Sequence, residues 1–91
     1  MDPFRLVMRR IESTGIRNYD GSINELLMVI PSNLETSNEI SLAEVLIRTS
    51  QIRTELTKGS EVSSWNMMAL DAIVEVVLPL VVAEEVRAAL K

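Results

Sequence analysis

Apolar residues recur along this chain at helical spacing. Phe4, Val7, Met8 and Ile11 fall at i, i+3, i+4 and i+7, one stripe of an amphipathic helix. Asp2 stands where a helix cap accepts amide hydrogens, and Pro3 suits the first helical position, whose N–H has no intrahelical partner. Gly15 supplies the stop. As a left-handed residue past the cap it would fold Ile16 back onto Ile11, the apolar contact of a Schellman ending. The first helix is therefore predicted over residues 3–14.

Arg17 to Gly21, RNYDG, reads as a turn, because Asn, Asp and Gly tolerate left-handed or locally hydrogen-bonded backbone. Ser22-Ile23-Asn24-Glu25 then has the spacing of a capping box, and Ile23, Leu26, Leu27 and Ile30 continue a short helix over 22–30 that Pro31 ends. The β-branched residues of LLMVI permit a strand there as well, since five apolar residues leave the period open. Residues 31–40, PSNLETSNEI, are rich in Ser, Thr and Asn and are expected to form a mobile loop anchored by Leu34 and Ile40. A second capping box, Ser41-Leu42-Ala43-Glu44, opens a helix over 41–58 with Leu42, Val45, Leu46, Thr49, Ile52 and Leu56 on its stripe, closed by Gly59. Glu44 and Arg48 stand four apart on that helix with the acid first, the favourable order for a surface pair.

The remaining segment breaks the pattern. Ser60 or Ser63 opens a helix predicted over 61–90, and within it MMALDAIVEVVLPLVVA, residues 67–83, carries only Asp71 and Glu75 as charges. Apolar positions this dense cannot all point to one side. Pro79 cannot donate to the Glu75 carbonyl and its ring crowds that group, so the helix is expected to kink there or to end and restart, leaving two apolar arms. A helix apolar on nearly every side must be wrapped by other protein, and a chain this short offers limited cover. As a membrane span the run is poor, being near the lower length limit with both acids inside it.

The expectation is an all-α single domain over 1–91, four helices with a long, Pro-kinked apolar C-terminal helix, assembling as a helical-bundle homodimer about a two-fold axis. The residues expected to meet a second copy or another protein are Trp65, Met68, Ile73 and Val76, together with Val77, Leu80 and Val81. Trp65 and Met68 head the apolar run, and these residue types serve interfaces as well as cores.

Composition narrows the chemistry. With 91 residues there is room for one small core. Cysteine and histidine are both absent, which removes disulfides, the usual transition-metal ligands, the commonest general base and the most potent nucleophile. Gly15, Gly21 and Gly59 are all accounted for by turns and helix ends, so no phosphate-cradling glycine loop is left. No enzyme, cofactor or metal is expected. Asp71 and Glu75, four apart on one helix face, have the spacing of an acid/base couple or a hard-cation site; the preferred reading is a solvated strip, and a buried pair to an arginine of the first helix or of a neighbouring subunit is the next.

The net charge of −4 is unevenly placed, residues 1–20 carrying +1 and residues 21–91 carrying −5. Arg5, Arg9 and Arg10, with Arg17 beyond the turn, form the one basic cluster. They suit phosphate or an acidic partner, or form the solvated face that the amphipathic pattern already requires. The opening MDPFRLVMRRIE has arginines where a signal peptide needs an apolar core, so a soluble, intracellular protein is expected. Function is therefore expected to be non-catalytic: a self-associating interaction module serving as regulator, adaptor or assembly subunit. The alternative is a dimeric nucleic-acid-binding regulator that uses the N-terminal arginine face.

Overall fold

A computed structural model describes residues 2–32, 40–59 and 63–91. Those residues form four helices and no strand: α1 (Pro3–Ser13), α2 (Gly21–Val29), α3 (Leu42–Thr57) and α4 (Ser64–Ala89). The LLMVI segment is thus helical. The expected mobile loop, with its anchor Leu34, falls mostly on residues 33–39 and lies outside the described residues, as does Ser60; Ile40 packs partly buried against the core.

Local chemistry accounts for most boundaries. The Asp2 carboxylate accepts from the Arg5 amide at 3.0 Å with Pro3 at the start of α1. Gly15 ends the helix at φ +78°, its N–H donating to the Glu12 carbonyl, and Ile16 and Ile11 are both buried in the core that follows. The Ser41 hydroxyl accepts from the Glu44 amide at 3.1 Å, while Glu44 turns away to Arg48 at 3.4 Å, so only half of that capping box forms.

The start of α2 departs from expectation. Its cap is Asp20, whose carboxylate accepts both the Ser22 amide at 3.0 Å and the Ser22 hydroxyl at 2.7 Å. Ser22 lies two residues past the cap, inside the helix, and the Asp20 carboxylate already takes its N–H. The Ser22 hydroxyl, and after it the Ser22 amide, hold the Asp20 carboxyl below the usual carboxylate range. A lowered pKa in the folded chain means the cap stabilises α2 above the ordinary carboxylate pKa, and that this stabilisation is lost as pH falls through the lowered value. Asp20→Ala is therefore expected to lower the melting temperature at neutral pH. The gap to the parent should close in acid, as followed by circular dichroism melts across pH.

The core is assembled where α4 lies in a groove formed by the other three helices. Val7 and Ile11 from α1, Ile23, Leu26 and Leu27 from α2, and Leu42 and Val45 from α3 surround Leu70, Ile73 and Val77 of α4, all nearly inaccessible. Ala69 and Ala72 allow close approach of the neighbouring helices. Thr49, the buried polar residue, donates its hydroxyl to the Val45 carbonyl at 2.7 Å and so enters the core satisfied. α4 meets α3 and α1 most extensively and α2 less. Three polar ties reinforce this seat: Asp20 N–H to Asn66 Oδ1 at 2.7 Å, Arg53 to Asp71 at 2.7 Å, and Arg10 to Glu75 at 2.9 Å. The two ion pairs are solvent-exposed, so each contributes at most about 1 kcal/mol.

α4 outruns the body. It continues as one helix through Pro79, and every residue from Val82 onward is exposed, a projection of about 15 Å at 1.5 Å per residue. The molecule is accordingly 47 Å long against 24 and 21 Å across.

Candidate interface on the C-terminal helix

The apolar face of α4 changes sides. Leu70, Ile73 and Val77 point into the body, and from Ile73 the helix turns about 100° per residue, so Val82, nine residues on, lies roughly 180° round on the opposite face. Outward beside it lie Leu78 and Val86, with Leu90 following. These four are 47%, 53%, 53% and 82% exposed and stand at intervals of four. The inward line of Ile73 meanwhile continues past the body as Glu84, Arg87 and Lys91, all in solvent. One helix thus consists of two amphipathic halves with opposed apolar faces, which is why no single stripe emerges from its sequence.

This arrangement redistributes the expected interface residues. Ile73 and Val77 are wholly buried in the chain's own core, so neither is free to meet a second molecule in this fold. Val76, Leu80 and Val81 pack half-buried against the core. Trp65 and Met68 remain 45% and 39% exposed, near the start of α4. Leu78, Val82 and Leu90 join this face beyond the expected residues; their signal in the sequence is the step of four in Leu78, Val82, Val86 and Leu90, hidden among equally apolar inward positions.

Asp71 and Glu75 occupy the outward face of α4 above the stripe. Both carboxylates are more than half exposed, and each is held by a different arginine, Arg53 of α3 and Arg10 of α1. They clamp α4 to its two flanking helices instead of converging on a shared ligand. Among the described residues no three acidic side chains gather where a cation could be held.

The basic cluster is divided. Arg10 is engaged with Glu75, and a shallow cleft over Leu6, Arg9, Arg10, Ser13 and Val76 lies beside that pair. Arg5, Arg9 and Arg17 are exposed, and among the described residues none of the three has a carboxylate within 4 Å.

By length and composition Ser64–Ala89 is sufficient to cross a membrane, and 28% of its apolar window is buried within the chain. Comparison with family models, curated proteins and solved structures yields no match for this chain.

Proposed function

We propose that this protein is a non-catalytic self-associating module whose α4 is covered by a second copy, in the manner of a regulator, adaptor or assembly subunit. The observation that carries the reading is the line Leu78, Val82, Val86 and Leu90, apolar and exposed along a helix that projects from the body. Isolated exposed apolar residues such as Met28 and Ile47 are ordinary, whereas a continuous line of them at helical spacing has the form of a helix-packing ridge. A bilayer is a poorer cover. Spanning it would pull Leu70, Ile73 and Val77 out of the core they centre, and would strip Asp71 and Glu75 of Arg53 and Arg10.

The arginine face offers less. Its outward members are Arg5, Arg9 and Arg17, on a chain of net charge −4 that repels phosphate elsewhere. Light scattering at micromolar concentration in detergent-free buffer is expected to give twice the 10.2 kDa chain mass without nucleic-acid absorbance. A monomer, or material that partitions with membranes, would refute the proposal. Co-purifying nucleic acid released by salt would favour the arginine-face regulator instead.

A further inference from the structure

We infer that the two copies pair through their α4 projections in antiparallel orientation, with Val82 of each against Val86 of the other. This rests on the self-association proposed above and adds its direction and register.

The exposed ridge is palindromic. Read from either end it runs Leu, Val, Val, Leu at steps of four, from Leu78 to Leu90, and its midpoint is level with Glu84. A two-fold axis perpendicular to α4 at that level superposes the ridge on its own reverse, which sets Val82 opposite Val86 and Leu78 opposite Leu90. Ridges built on a four-residue step pack with helix axes inclined at about −50°, so the gap between the helices is smallest at the crossing and widens to either side. The short valines stand at the crossing and the longer leucines at the flanks, matching that profile.

Charge selects the same direction. A parallel pair would set the two bodies on the same side of the crossing, with the outward Asp71 and Glu75 of each copy facing those of the other across the widening gap. Each of these carboxylates keeps its own arginine, Arg53 or Arg10, so the repulsion between the copies is partial. In the antiparallel pair the two Asp71 residues are about 39 Å apart along the axes, at 1.5 Å per residue. The acidic strips are then at opposite ends of the assembly, and the bodies are kept apart.

The chain has no cysteine, so single substitutions give unambiguous disulfides. Val82→Cys and Val86→Cys are prepared separately, checked for parental circular dichroism, mixed and equilibrated under reduction, then oxidised. The antiparallel register predicts a mixed 82–86 disulfide from the mixture and little from either variant alone. Two Val82 positions would be offset by about 6 Å along the axes in addition to the 8–10 Å between helices, beyond disulfide reach. Homodisulfides from each variant alone would show parallel pairing and overturn the inference while leaving self-association standing. A dimeric mass with no disulfide in any sample would also overturn it, by placing the contact elsewhere. A monomeric mass would remove both the inference and the proposal beneath it.

Discussion

Val82→Asp is expected to convert the proposed dimer into a folded monomer. Val82 lies outside the chain's own core and is 53% exposed, so a charge there can stay hydrated in the isolated subunit. Valine and aspartate differ little in helix propensity, and the secondary structure should be unaltered. On association two carboxylates would be brought together beneath apolar side chains at the helix crossing. That desolvation and repulsion should raise the dissociation constant at least about 100-fold, or ~2.7 kcal/mol. Sedimentation velocity at micromolar concentration, with circular dichroism on the same sample, reads both halves of the expectation. A variant that stays dimeric would place the interface away from the ridge, and one that unfolds would mean the projection is required for the fold.

Val77→Asp, only five residues earlier, should do the opposite. Its side chain is inaccessible among the apolar residues of all four helices. A buried carboxylate without a designed partner costs more than about 4 kcal/mol, a large share of the roughly 5–13 kcal/mol expected for a domain of this size. The chain should lose cooperative thermal unfolding and most of its helix signal. The milder Ile73→Ala tests the same core without a charge and should cost about 2–5 kcal/mol by cavity formation, measured by urea denaturation. Both substitutions test the fold. Dissociation caused by either one would follow from unfolding and would say nothing about where the copies touch.

The contrast between positions 77 and 82 marks the limit of what the sequence could reveal. The helices of the first half were legible because local chemistry encodes them: Asp2 with Pro3, Gly15, and Ser41 each act within a few residues of the boundary they set. The start of α2 misled for the same kind of reason. Asp20 and Ser22 are both good caps, and spacing to Glu25 favoured the serine while the hydrogen bonds went to the aspartate. Along α4 the difficulty is of another kind. Nearly every position from Met67 to Ala83 is apolar, so composition identifies the need for cover without indicating which side receives it from within the chain. That depends on where α1 and α3 lie, and their placement is a long-range result of packing. The pairing of Asp71 with Arg53 and of Glu75 with Arg10 was inaccessible in the same way, although an arginine of the first helix was a candidate partner.

Pro79 gives the molecule a seam of its own. It stands three residues before α4 leaves the body at Val82, and with no N–H to offer the Glu75 carbonyl it removes one rung from the hydrogen-bond ladder there. Melting of the projecting turns therefore breaks no bond from position 79 to Glu75, and Leu80 and Val81 stay packed on the core between those turns and Val77. A separated subunit is thus expected to open its outer turns before its centre, with amides of residues 82–91 exchanging hydrogen faster than those of 70–77.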